Sequence, residues 1–248
     1  MEKKNYIFYP FLLFVFLFLS CHNENKCDCL KSTGDIITEA RSISGFNKIS
    51  VEDNINLFIT EDSAFSLTVE AGSNLMNFIK TDVTDSCLYL QNKNKCNWLR
   101  SFKDKVNVHL KCRKIKGITY KEGSGNIIST DTMHVDYFQL DDYGGSGTID
   151  LTMVGQTTWF NLHTGPADLT VKGNSGVNYL YAAGNGKVDL RDLSTGYTFI
   201  TSDATNDCYI NVNKELDATI GGVGNIYYKG SPYKVTSNIS GAGQLIHF

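Results

Sequence analysis

The sequence predicts an all-β fold, a β-solenoid whose coils are about 20 residues long. Three observations predict it. Apolar and polar residues alternate in short runs, as at Val106, Val108 and Leu110, with turn residues between the runs. That period of two is the mark of strands. Nineteen of the 22 glycines stand at or beyond Gly117. The Gly-rich half also repeats: Gly-x-apolar-x-apolar occurs at Gly147, Gly186 and Gly224, and imperfectly at Gly125 and Gly243. Ala167 and Cys208 hold the same place as small residues.

The N-terminus comes first in chain order. Lys3 and Lys4 precede the unbroken apolar run Phe11 to Leu19, and Ser20 precedes Cys21. A basic start, a short apolar run and a small residue at the cut predict a removable signal peptide over 1–20. A membrane span needs about 20 apolar residues, more than this run offers. Phe18-Leu19-Ser20-Cys21 resembles the lipobox of bacterial lipoproteins, with Phe18 where Leu is usual. The resemblance implies that Cys21 is lipidated. Residues 21–33 are then anchor and polar linker, and the domain spans 34–248. A lipid-anchored chain in the cell envelope is the expectation, held to the outer membrane on its periplasmic or surface face.

Within the domain, 34–116 forms a basic N-terminal half and 117–248 a Gly-rich repeat half. Strands are expected at Ile49 and Val51, Ile55 to Ile59, Leu67 and Val69, Leu88 and Leu90, and Val106 to Leu110. Residues 72–82 read as a helical or irregular insert. In the repeat half a second strand follows each Gly-headed one, at Phe138 and Leu140, Phe160 and Leu162, Leu180 and Ala182, and Leu216 to Ile220. Ile149, Leu169, Val188, Ile210 and Ile226 are expected to form one inward stack. Glycine at the corners is expected to supply left-handed backbone. An antiparallel sandwich or meander is the rival fold.

Several runs are similar to one known family: Ser44-Gly-Phe-Asn-Lys-Ile-Ser-Val, Ile55-Asn-Leu-Phe-Ile, Gly-Ser-Gly-Asn-Ile at 123–127, and Gly221-Gly-Val-Gly-Asn-Ile-Tyr-Tyr-Lys-Gly-Ser-Pro with Ile239-Ser-Gly-Ala-Gly. They resemble the auto-transporter adhesin, head GIN domain family, common in lipoproteins of Bacteroides-like bacteria. The likeness covers about residues 40–248. It implies a right-handed parallel β-helix and a cell-envelope location, and it brings no catalytic residues.

Chemistry is sparse. Glycoside hydrolysis needs paired carboxylates. Asp141-Asp142 is the one adjacent Asp pair in the repeat half, and strand neighbours point to opposite faces. Turn residues are the preferred reading. The five histidines do not recur at ligand spacing, and Cys27-Asp28-Cys29 lacks the spacing of a zinc or redox site. No catalytic residue, metal or cofactor is called. Cys112 ends an alternating run and reads as a small core residue; a Cys96–Cys112 bridge is the other reading. Nine basic residues fall within 93–116 against Asp104 alone. They read as solvated strand faces or as a patch for anionic lipid or glycan phosphate. The repeat half carries seven bases against 13 acids, and nothing points to nucleic acid.

Aromatic residues give the one candidate ligand site. Tyr137, Trp159, Tyr179 and Tyr197 recur at 22, 20 and 18 residues. The first three each precede an expected inward residue, so Tyr137, Trp159 and Tyr179 should face outward in a column. Such a column is either a structural ladder or a platform for a glycan or an envelope partner. The expected function is a non-catalytic, adhesion-like binding module. The alternatives are a carbohydrate-active β-helical enzyme and an envelope scaffold.

Overall fold

A computed structural model describes residues 32–43, 45–94 and 106–248. The expected signal peptide, Cys21 and most of the linker lie outside the described residues, as do Cys27, Cys29 and Cys96. Among the described residues there is no α-helix, and no helix is long and apolar enough to cross a membrane. One 3-10 turn, Met76–Phe78, falls in the insert expected at 72–82.

The N-terminal strands are β1 (Ile36–Arg41), β2 (Lys48–Val51), β3 (Ile55–Glu61), β4 (Ser66–Gly72), β5 (Ile79–Thr84), β6 (Cys87–Asn92) and β7 (Val106–Cys112). The repeat half follows with β8 (Gly117–Gly123), β9 (Ile127–Gly145), β10 (Thr148–Thr164), β11 (Asp168–Ala182), β12 (Val188–Ser202) and β13 (Cys208–Ile220). It closes with β14 (Ile226–Lys229), β15 (Lys234–Ile239) and β16 (Leu245–His247).

The repeat half is a β-solenoid. β9 to β13 each supply one whole coil, and each lies parallel to the next. A first leg opens each coil, as at Ile127, and a second leg follows, as at Phe138 to Asp142. Two rows of inward side chains run along the axis on the second leg. One is Leu140, Phe160, Leu180, Ile200 and Ala218; the other is Asp142, Leu162, Ala182, Ser202 and Ile220. All ten are buried. Stacking coils buries what one coil alone leaves open, so stability is shared between neighbours.

The first-leg stack runs Ile127, Ile149, Leu169, Val188, Cys208, Ile226 and Leu245, at steps of 22, 20, 19, 20, 18 and 19 residues. This corrects one expectation. Val188 pairs with Cys208 rather than Ile210, which pairs with Tyr228. Asn206 therefore stands at the corner where Gly was sought, and Cys208 takes the inward place of an aliphatic residue. Ile210 is inward too, two residues further along the leg.

The corners explain the Gly-Asn-Ile motif. A Cβ on Gly125 would sit 1.8 Å from the Ile55 carbonyl oxygen, and one on Gly224 2.1 Å from that of Asn206. Glycine is needed there because the preceding coil's backbone comes too close for a side chain, and neither residue has left-handed backbone. Among the glycines, positive φ falls at other positions, such as Gly144 and Gly165. The next residue ties the coils together. Asn126 N–H donates to Asn56 Oδ1 at 2.9 Å, and Asn126 Oδ1 accepts from Thr148 N–H at 3.1 Å. Asn225 Oδ1 accepts from Gln244 N–H at 2.9 Å. The Ile then turns inward.

The N-terminal part is built differently. β2 lies between β6 and β8, and β3 between β7 and β9, all parallel. β2 and β3 thus form a coil one step inside the solenoid; β6 and β7 add behind it, and the chain then proceeds forward from β8. Beyond β6 and β7 the pairing turns antiparallel: β5 on β6, β4 on β7 and β1 on β4. These strands cap that end and occupy an edge that would otherwise be open.

Candidate ligand-binding face

The outward residues of the second leg make one sheet face, and its register decides which of them share a column. Trp159 pairs with Tyr179, Tyr179 with Phe199 and Phe199 with Asp217; on the other side Trp159 pairs with Gln139. Tyr137 instead pairs with Thr157, and Tyr197 lies between Val177 and Glu215. The expected column of Tyr137, Trp159 and Tyr179 is therefore half right. Tyr137 faces outward, 42% exposed, but stands one column away. Phe199, exposed and not singled out in the sequence, takes its place.

The slip has a physical cause. Phe138 and Phe160 look equivalent, yet Phe138 pairs with Thr158 and Phe160 with Leu140. Phe138's row continues inward as Thr158, Asn178 and Thr198, all buried. Most of their polar atoms are paired: Asn178 Nδ2 donates to Thr158 Oγ1 at 2.9 Å, and the Thr195 and Thr198 hydroxyls meet at 2.7 Å, while Asn178 Oδ1 is buried without a partner among the described residues. A pattern aligned on apolar residues passes over a polar inward row, and a two-residue slip keeps every side chain on its face.

The rings of the true column stack along the solenoid axis. Trp159 and Tyr179 centroids are 3.9 Å apart with planes 12° off parallel; Tyr179 and Phe199 are at 5.1 Å and 15°. Both faces of Tyr179 are therefore covered by neighbours. A sugar lying flat on a ring needs a free face; Tyr179 has none, and the next neighbours of the end rings in the column are Gln139 beside Trp159 and Asp217 beside Phe199. The column is a ladder first, and its edges face solvent.

Beside it runs a polar column: Asp141, Asn161, Tyr181, Thr201 and Thr219. Between the two lies an open groove of about 200 Å³ with Asp217 at one end. Ring edges form one wall, and amide, phenol and hydroxyl groups the other. Asp141 is fixed by Gln139 Nε2 at 2.7 Å and Asn161 Nδ2 at 2.9 Å. His163 stacks on Tyr143, centroids 4.4 Å apart, and its Nε2 lies 3.5 Å from Asp141.

Asp142 points the other way. It is buried, accepts the Gly145 N–H at 2.8 Å, and burial pushes its carboxyl up to about 6. Asp141 and Asp142 thus lie on opposite sides of the sheet and cannot flank one bond. Among the described residues no three His, Cys, Asp or Glu side chains gather as metal ligands. Cys112 and Cys208 are buried, and desolvation raises their thiols to about 12 and about 11, which removes the thiolate that reactivity requires. In the basic segment Lys111 pairs with Asp62 at 3.8 Å and Lys114 with Asp136 at 3.3 Å. Residues 95–105 of that segment lie outside the described residues.

Fold and face together define a capped β-solenoid that displays an aromatic and polar sheet to solvent. Residues 45–232 match the family described as "Putative auto-transporter adhesin, head GIN domain", and the chain belongs to that family. No curated protein matches it. Solved structures share the fold. A putative adhesin from Bacteroides fragilis superimposes with a TM-score of 0.80 at 22% identity, over 86% of this chain and 97% of that one. A putative lipid binding protein from Parabacteroides distasonis gives 0.70 at 19%, over 88% and 98%. A putative adhesin from Parabacteroides merdae gives 0.61 at 18%, over 88% and 98%.

Proposed function

We propose that this chain is a non-catalytic, adhesion-like binding module of the cell envelope, and that it holds a glycan in the groove beside the aromatic ladder. The observation that carries this is the pairing of two outward columns across several coils. Trp159, Tyr179 and Phe199 offer apolar ring edges, while Asn161, Tyr181, Thr201 and Asp217 offer donors and acceptors at hydroxyl height. A sugar has both kinds of surface. The groove is smaller than a typical drug-sized pocket, about 300–1,000 Å³, and suits one or two sugar units of a longer chain. Membership of an adhesin-like family supports an envelope location. The opposed directions of Asp141 and Asp142 weigh against a glycosidase. Cys21 is the proposed lipid anchor to the membrane, and Cys21→Ala should abolish fatty-acid labelling and release the protein from the membrane fraction.

A glycan array probed with the protein tests the reading. Binding of one glycan class is expected, weakened at least tenfold by Tyr181→Phe combined with Asp217→Ala, with the melting temperature unchanged. An array without hits, or binding that survives the double substitution, sinks it.

A further inference from the structure

Side chains in one outward column stand one coil apart, a spacing of about 4.8 Å. At two places in the repeat half an acid and a ring are such neighbours, and the chain's own cations gather at the step. Asp189 pairs in register with Tyr209. Arg191 Nε donates to Asp189 Oδ1 at 2.8 Å, and its guanidinium carbon lies 5.0 Å from the Tyr209 ring centroid. Lys187 Nζ joins them, 3.4 Å from Asp189 and 5.9 Å from the same centroid. Tyr197 pairs in register with Glu215. Lys214 Nζ lies 5.3 Å from the Tyr197 centroid, and Lys234 Nζ 3.2 Å from Glu215. A carboxylate and the negative face of a ring both attract a cation, so the step between them suits one.

The same step recurs at Phe199 and Asp217, and there no Lys or Arg of the described residues fills it. Tyr179 covers one face of Phe199, at 5.1 Å and 15°, so the other face turns along the axis toward Asp217. Asp217 is exposed and has no hydrogen bond or ion pair among the described residues. Both residues line the groove beside the ladder, and no Lys, Arg or His lines it. The other fixed groups of the groove lean the same way. Asn161 Nδ2 is engaged by Asp141 at 2.9 Å, which leaves its Oδ1 as an acceptor. Against the two fixed acceptors, Asn161 Oδ1 and Asp217, stands one fixed donor, the Trp159 indole N–H.

We propose that the glycan held in this groove is an amino sugar with a free ammonium group, seated between Asp217 and the Phe199 ring face turned toward it. The inference rests on the glycan reading above and names the class of sugar. An ammonium has donors and no acceptor, the complement of the groove's fixed groups. The hydroxyls of Tyr181, Thr201 and Thr219 can donate or accept, and they suit the rest of the sugar. A carboxylate, sulfate or phosphate on the sugar would meet Asp217 with like charge and find no cation in the groove to answer it. Acidic glycans are therefore excluded.

Three disaccharides of identical linkage test this, because they differ in one substituent. The glucosamine dimer carries an ammonium, the N-acetylglucosamine dimer an amide and cellobiose a hydroxyl. Each is titrated calorimetrically into the whole chain, in a polyoxyethylene detergent that brings neither sugar nor charge, at a pH where the sugar amine is charged. The glucosamine dimer should bind roughly tenfold tighter than either neutral one, the joint effect of an exposed ion pair and a cation–ring contact. Asp217→Asn keeps the shape and removes the charge. It should bring that ratio close to one with the melting temperature unchanged, and added salt should narrow the ratio in the unsubstituted protein. Ethylammonium supplies the charge without the sugar and should bind far more weakly than the glucosamine dimer. Equal binding of the three disaccharides, or a preference that survives Asp217→Asn, overturns the amino-sugar assignment and leaves the glycan reading standing. Ethylammonium binding as tightly as the glucosamine dimer overturns both. No binding of any disaccharide overturns the assignment, and the glycan array then decides separately whether another sugar is held.

Discussion

The N-terminal cap and the repeat half use the same alternation of inward and outward residues, but they fix register by different means. In the cap, β5 and β6 form a hairpin whose turn residues Asp85 and Ser86 both have positive φ, 52° and 60°. Local turn geometry sets that pairing. In the repeat half the short corners join parallel coils, and no hairpin turn sets their register. Register comes from stacks of side chains about 20 residues apart and from Asn and Asp side chains that reach the next coil's backbone, as Asp168 Oδ1 reaches Lys187 N–H at 2.8 Å. The cap is local and closes an edge; the repeats are non-local and propagate one. A change in a repeat should therefore be felt by the coils on both sides, and a change in the cap hairpin mainly by the hairpin.

The sharpest test of that difference is Leu169→Ala, because Leu169 is fully buried in the middle of the first-leg stack between Ile149 and Val188. It should cost about 2–5 kcal/mol, measured by denaturant unfolding. Amides of β10 and β12 should lose exchange protection along with those of β11, while β5 and β6 keep theirs. A loss confined to β11 would break the comparison.

Gly125→Ala probes the seam between the two regions, where a Cβ would strike the Ile55 carbonyl. Overpacking against backbone should cost about 3 kcal/mol. If the melting temperature holds, the two coils are not packed as closely as described.

Asp142 tests what one charge does inside the shared stack. Its folded carboxyl titrates at about 6, above the usual carboxylate range, because burial disfavours the charged form. The folded state then binds more protons than the unfolded state between about pH 4 and 6, so this group makes the protein more stable as pH falls through that window. At pH 7.5 its ionised form costs on the order of 2 kcal/mol. Asp142→Asn should be the more stable protein at pH 7.5, and the gap should shrink as pH falls through about 6. A gap that does not vary with pH excludes the account.

The smallest effect belongs to the cap. Ser86→Gly relieves a left-handed non-glycine residue and makes Asp-Gly, a favoured two-residue hairpin turn. A gain of about 0.5–1 kcal/mol is expected in thermal unfolding, with no change in exchange protection of the repeats. Destabilisation would mean that the turn holds Ser86 for another reason.

By itself the sequence determined the strands, their inward faces and the coil length, because a period of two and recurring glycines are written in neighbouring residues. Ile149, Leu169, Val188 and Ile226 could be read as inward for that reason, and Trp159 and Tyr179 as outward. Only the tertiary structure decided which residue sits over which. Asn178 and Thr198 occupy inward places with polar side chains, and Asn206 occupies a corner where Gly was sought, so register counted on apolar residues slipped by two. Tyr137 left the column, Phe199 entered it, and Cys208 replaced Ile210 in the stack. Strand direction was hidden for a related reason: parallel and antiparallel pairs bury the same alternation, and the hydrogen bonds that tell them apart join residues far away in the chain.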